Sequence, residues 1–111
     1  MSELPSEISC RDLQQRLLNG DRLLLVDCRE QQEHALGTIP GATLLPMSLL
    51  AQRQNELAGQ ESRPIVVYCH LGVRSQRIAA WLREQGFSEV QSLAGGIDAW
   101  AEQIDPQMTR Y

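Results

Sequence analysis

The stretch "IVVYCHLGVRSQRIAAWL", residues 65–82, sets an unbroken apolar segment against a helical pattern, with a cysteine at the junction. Ile65, Val66 and Val67 are β-branched and Tyr68 is aromatic, and a run with no polar alternation is the pattern of a strand buried on both faces. Over residues 75–85 the spacing of Ile78, Ala79, Trp81 and Leu82 predicts a helix. Gly86 closes it, leaving Phe87 free to fold back on the last turn. Cys69 therefore stands at the carboxyl end of a strand, with Gly72 in the turn that leads to the helix.

The same alternation extends in both directions. Upstream, Ser9 is an N-cap for a short amphipathic helix with Leu13, Leu17 and Leu18 on one face, stopped at Asn19-Gly20. "RLLLVDC", residues 22–28, reads as a second buried strand ending at Asp27. A short polar helix over 31–36, turns at Gly37 and Pro40-Gly41, a brief strand over 42–45 and a helix over 48–57 follow. Downstream, "EVQSL" is a strand, "AGG" a tight loop and "IDAWAEQI" a helix, while the last residues, about 104–111, read as a loosely held tail. Strands separated by helices imply parallel pairing through right-handed crossovers, an α/β fold with helices on both faces of the sheet. In such a sheet ligands bind beyond the carboxyl ends of the strands, which is where Cys69 lies.

The 111 residues fit one domain, able to bury roughly two thirds of the surface its unfolded chain exposes. A composition of 42% hydrophobic and 22% charged residues is that of a globular protein with no disordered region. With a net charge of −4 the overall field repels nucleic acid and anionic membrane, so an anionic ligand needs a local positive site. The start "MSELPSEISC" has no basic-then-apolar run and no segment approaches membrane-spanning length, so a cytoplasmic location is expected. Cys10, Cys28 and Cys69 are odd in number and lack paired spacing, which argues against a disulfide framework and a structural metal; His34 and His70 are too scattered to restore a metal reading.

A thiol is nucleophilic only as the thiolate, and an ordinary cysteine is mostly protonated near neutrality. The turn after Cys69 can change that if the backbone N–H groups of Leu71, Gly72, Val73, Arg74 and Ser75 converge on the sulfur at the positive end of the helix. Arg74 offers a full positive charge, and His70 a proton donor or partial charge at the rim. The competing reading is a small, inert core cysteine.

"CHLGVRS" resembles the active-site loop of rhodanese domains, a cysteine-x-x-glycine-x-arginine-serine pattern after a buried strand. "LLLVDCREQQEHALGTIPGATLLP" is similar to the family's upstream segment, with Asp-x-Arg-Glu at a strand end and a Gly-x-Ile-Pro-Gly-Ala turn, and "GFSEVQSLAGGIDAW" to its downstream segment. Together these pieces span nearly the whole chain in the family's order. The resemblance implies a three-layer fold around a mostly parallel five-stranded sheet. It also implies sulfur transfer: Cys69 takes a sulfane sulfur from thiosulfate or another persulfide donor and passes it to cyanide, a small thiol or a protein thiol. The covalent persulfide replaces any metal or organic cofactor. Cys69 is then the nucleophile, His70 and Leu71 to Ser75 the anion-binding loop, and Asp27 and Arg29 a supporting pair or simply a strand-end cap. Gly95 and Gly96 match the family's double glycine, with turn geometry the preferred reading over a close approach to the site. A monomer or weak dimer is expected.

Two positions depart from the family pattern. Thr38 stands where histidine is common, and Cys28 where an apolar residue is usual; core filling is the preferred role for Cys28 and a resolving thiol beside Cys69 the alternative. Cys10 reads as a bystander, His34 as a surface residue, and Trp81 and Trp100 as core anchors. The rival functions are a dedicated persulfide carrier, a non-catalytic interaction module, and a small phosphatase or arsenate reductase. Tyrosine phosphatases resemble Cys-x5-Arg, whereas His70, Leu71, Gly72 and Val73 alone separate Cys69 from Arg74, a loop better suited to one added sulfur than to phosphate.

Overall fold

The computed structural model describes residues 4–111; Met1 to Glu3, part of the stretch read as lacking a leader, lie outside the described residues. Five strands, β1 (Glu7–Ile8), β2 (Leu24–Asp27), β3 (Thr43–Leu44), β4 (Ile65–Tyr68) and β5 (Val90–Leu93), form one sheet in the order β1-β5-β4-β2-β3. Every pairing is parallel, and β4 at the centre runs in register with β2 from Leu24↔Ile65 to Asp27↔Tyr68. All four residues of β4 are buried, which is why its sequence shows no alternation: both faces are covered.

Of the helices α1 (Cys10–Leu18), α2 (Gln31–His34), α3 (Leu50–Arg53), α4 (Val73–Glu84) and α5 (Gly96–Gln103), all but α2, which buries no residue, supply the covering layers. On one face Val26, Ile65, Val67 and Val90 pack with Leu50 of α3 and with Ile78, Ala79 and Leu82 of α4. On the other, Leu25, Val66, Tyr68 and Leu93 pack with Leu13 of α1 and with Ile97 and Trp100 of α5. At about 1.5–3 kcal/mol for each large apolar side chain fully buried, these two layers are the main source of stability. Trp100 is a core anchor and Trp81 packs at the edge of the first layer. No helix among the described residues is long and apolar enough to cross a membrane.

The local expectations need four corrections. The edge strand β1 went unread because two residues with one buried apolar side chain, Ile8, leave no periodic signal. The helix expected over 48–57 is one α-helical turn, α3, between two 3₁₀ turns at Met47–Leu49 and Gln54–Leu57, since Leu50 and Leu57 are its only buried residues and no side chain caps it. Helix α4 begins at Val73 rather than at residue 75, after Gly72 takes φ +102°. The tail expected to hang loosely is docked: Tyr111 hydrogen-bonds to Arg29 and Glu33, Arg110 pairs with Asp98 at 3.0 Å, and Met108 packs beside the α1/α5 layer. Its polar residues find partners on the fold, which its own pattern could not show.

Because the sheet is wholly parallel, the segments that follow β2, β4 and β5 emerge at the same edge. There residues 28–30, 69–72 and 94–96 meet.

Candidate active site

Cys69 immediately follows β4 and is 1% exposed, at the floor of a turn closed by Gly72. The Gly72 N–H donates to its sulfur at 3.1 Å and the Ser75 N–H at 3.4 Å, with the Ser75 hydroxyl also 3.4 Å away. The Ser75 hydroxyl also lies 2.7 Å from Ser92 on β5 and 3.3 Å from the Gly72 carbonyl, so with Ser92 donating to it its one proton is shared between that carbonyl and the sulfur. The thiol is held down to about 4, first by a hydrogen bond from Cys28, then, against the opposing cost of burial, by the Ser75 hydroxyl and the Ser75 and Gly72 amides. Cys28 is pushed up in turn, first by its interaction with the Cys69 sulfur and then by burial, so of the two thiols it is Cys69 whose ionisation is favoured.

The amide cradle expected from Leu71 to Ser75 thus narrows to Gly72 and Ser75, while the Leu71 and Val73 side chains are 59% and 63% exposed at the rim. Gly72 must be glycine for two reasons: its positive φ, and the 3.3 Å that would separate a Cβ from the Gly95 amide. Arg74 does not point its charge at the sulfur as its hydrogen-bonding partner. Its guanidinium clasps Glu33 of α2 at 2.7 and 2.8 Å, and that pairing draws the Glu33 carboxyl down to about 2. The ring of His70 stacks on Tyr111 with centroids 3.9 Å apart.

Asp27 and Arg29 form a wholly buried ion pair at 2.7 and 2.9 Å. Arg29 also donates to the Glu33 and Gly37 carbonyls and to the Tyr111 hydroxyl, so its fork ties the β2 end, α2, the Gly37 turn and the tail together. Burial would push the Asp27 carboxyl up, but hydrogen bonds from Arg29 and His34 outweigh it and hold the group below its usual range. His34 is accordingly no bland surface residue, since its Nδ1 is 2.9 Å from Asp27 Oδ2. The pair does not touch Cys69; it braces the wall from which Glu33 reaches Arg74.

Turn geometry alone does not account for Gly95 and Gly96. A Cβ on Gly96 would overlap the carbonyl oxygens of Cys69, at 2.6 Å, and of His70. Those carbonyls accept from the Ile97 N–H at 2.9 Å and the Asp98 N–H at 3.1 Å, so the first turn of α5 is bolted to the backbone of the cysteine turn. Cys10 is buried against the Ala94 carbonyl in the α1/α5 layer, on the opposite face of the sheet from Cys69.

Sequence reasoning missed Ser92, Glu33 and Tyr111. A small hydroxyl residue within the buried run of β5 was the available signal for Ser92. Glu33 and Tyr111 carried none, because their partners are remote in the chain.

The rhodanese-like domain family model matches residues 9–103. A sulfurtransferase of Allochromatium vinosum is 44% identical over 96 residues, covering 86% of this chain and 88% of that protein. The probable adenylyltransferase/sulfurtransferase MoeZ of Mycobacterium tuberculosis is 39% identical over 106 residues, 96% of this chain but 27% of that longer protein. The human single-domain sulfurtransferase TSTD1 superimposes with a TM-score of 0.78 at 28% identity, over 90% of this chain and 98% of that one. The chain belongs to the rhodanese-like domain family, and the turn around Cys69 is its candidate active site.

Proposed function

We propose that the protein is a sulfurtransferase in which Cys69 carries a sulfane sulfur from thiosulfate, or another persulfide donor, to cyanide or a thiol. The observation that carries this reading is the buried Cys69 sulfur, which accepts from the Gly72 amide at 3.1 Å and the Ser75 amide at 3.4 Å, donors that favour its anionic form. The thiolate attacks the outer sulfur of thiosulfate, its bond to the sulfonate breaks, and sulfite leaves with the electron pair. The terminal sulfur of the resulting persulfide bears the negative charge, and the amide donors of the turn stabilise that charge as they did the thiolate. An incoming cyanide or thiolate takes the terminal sulfur and returns Cys69 to its starting state. The cysteine adduct does the chemistry without a cofactor.

The names of the relatives support sulfur transfer, and the pairing of Arg74 with Glu33 speaks against a phosphatase, whose arginine must be free to grip phosphate. Incubation with thiosulfate followed by intact mass measurement is expected to show one added sulfur atom, removed by cyanide. A Cys69→Ser protein that still acquired that sulfur would overturn the assignment.

A further inference from the structure

The register of the sheet places a second thiol beside the nucleophile. Asp27 and Tyr68 are partners across β2 and β4, so the residues that follow, Cys28 and Cys69, stand next to each other, and the Cys28 N–H donates to the Tyr68 carbonyl at 3.0 Å. Alternation along the two chains puts both side chains on the α3/α4 face, where both belong to the same buried layer and are each 1% exposed. Adjacent strands lie about 4.8 Å apart, within the Cα separations of roughly 4.4–6.8 Å that a disulfide spans. Both residues sit just beyond the last residue of their strands, outside the regular ladder. All three cysteines are free thiols here.

Resting on the sulfurtransferase reading above, we propose that Cys28 is a resolving thiol: it attacks Cys69 Sγ once that sulfur carries an adduct, closing a Cys28–Cys69 disulfide and expelling the attached group. With a persulfide on Cys69, the bond from Cys28 Sγ to Cys69 Sγ forms as the bond to the outer sulfur breaks. The outer sulfur departs with the electron pair, takes the Cys28 proton and leaves as hydrosulfide. The sulfane sulfur is reduced by two electrons, and the two thiols are oxidised to the disulfide. An external dithiol then returns both cysteines to thiols. The protein thereby gains a second outlet, release of sulfide, when no sulfur acceptor reaches the turn. Cys28 attacks from the protonated thiol and must give its proton to the departing sulfur, so this outlet is slower than transfer to a waiting acceptor anion.

The test loads the protein in two ways and follows intact mass with peptide mapping. Thiosulfate loads a persulfide, and oxidised glutathione loads a mixed disulfide on Cys69. After removal of the reagent, the unsubstituted protein is expected to lose either adduct and end two hydrogens lighter, with Cys28 and Cys69 in one cross-linked peptide and, in the thiosulfate arm, free sulfide released. Cys28→Ser and Cys28→Ala proteins are expected to retain the adducts at least about tenfold longer. Two variants separate the loss of the thiol from any effect on packing, and the cross-link is read on the unsubstituted chain. Adducts on the unsubstituted protein that persist without a cross-link, or that clear equally fast in both variants, overturn the proposal while leaving the sulfurtransferase reading intact. A cross-link formed from glutathione with no loading by thiosulfate upholds the resolving thiol and counts against thiosulfate as donor. No adduct from either reagent overturns both.

Discussion

At the residue scale the decisive quantity is the charge on one sulfur. Cys69 held down to about 4 means that its alkylation rate should stay flat through neutral pH and fall only as pH drops through that value, where an ordinary cysteine would already slow below about 8.5. The Ser75 hydroxyl is one of the groups responsible, and a hydrogen bond to an ion contributes about 1.5–3 kcal/mol, or one to two pH units. Ser75→Ala should therefore shift the alkylation profile upward by about that much; an unmoved profile would assign the whole effect to Cys28 and the amides. Arg74 contributes differently, through its pairing with Glu33. In Arg74→Ala the Glu33 carboxylate keeps its hydrogen bonds from Tyr111 and the Glu30 N–H but loses its counter-charge beside the turn, and at about 1 kcal/mol for one exposed charge the KM for thiosulfate should rise about fivefold. Adding Glu33→Gln to that variant should recover most of it. Cys69 itself was legible from its place between a buried run and a glycine turn, whereas nothing near Glu33 in the chain announced its partner.

The element that fixes the cysteine turn is α5, through backbone contacts at its first turn. Gly96 has φ +61° and no room for a Cβ against the Cys69 and His70 carbonyls, while Gly20 has φ +75° with nothing within 4 Å. Both lose about 1–2 kcal/mol on substitution by alanine through left-handed strain. Gly96→Ala must in addition displace backbone that carries the site. Its urea midpoint should fall well below that of Gly20→Ala, and sulfur loading of Cys69 should fall with it, an effect Gly20→Ala lacks. Turn chemistry in the sequence announced a glycine requirement at both positions. The difference between them is a close approach of α5 to another loop, which no local pattern encodes.

Across the whole molecule, Glu33 joins three regions distant in sequence: α2 that bears it, Arg74 at the start of α4, and Tyr111 in the tail. Its carboxyl lies at about 2 in the folded chain, below the usual value near 4.3 in an unfolded one, so the folded state binds fewer protons between them. The stabilisation is therefore complete above about pH 4.3 and is lost as pH falls toward 2. Urea unfolding should show Glu33→Gln less stable than the unsubstituted protein at neutral pH, with the gap closing at about pH 2–3. A gap of constant size would mean that Glu33 acts by packing.

The sequence by itself determined a parallel α/β arrangement with a cysteine at the end of its central strand, because burial on both faces, helix spacing and turn residues are short-range signals written in consecutive side chains. Only the tertiary structure decided which strands are neighbours, and with that the placement of Cys28 against Cys69, Ser92 behind Ser75 and Arg74 in the grip of Glu33. Strand order follows from how crossovers bury two apolar layers at once, a property of the whole chain, and it is this order that sets Cys28 and Ser92 around the cysteine turn.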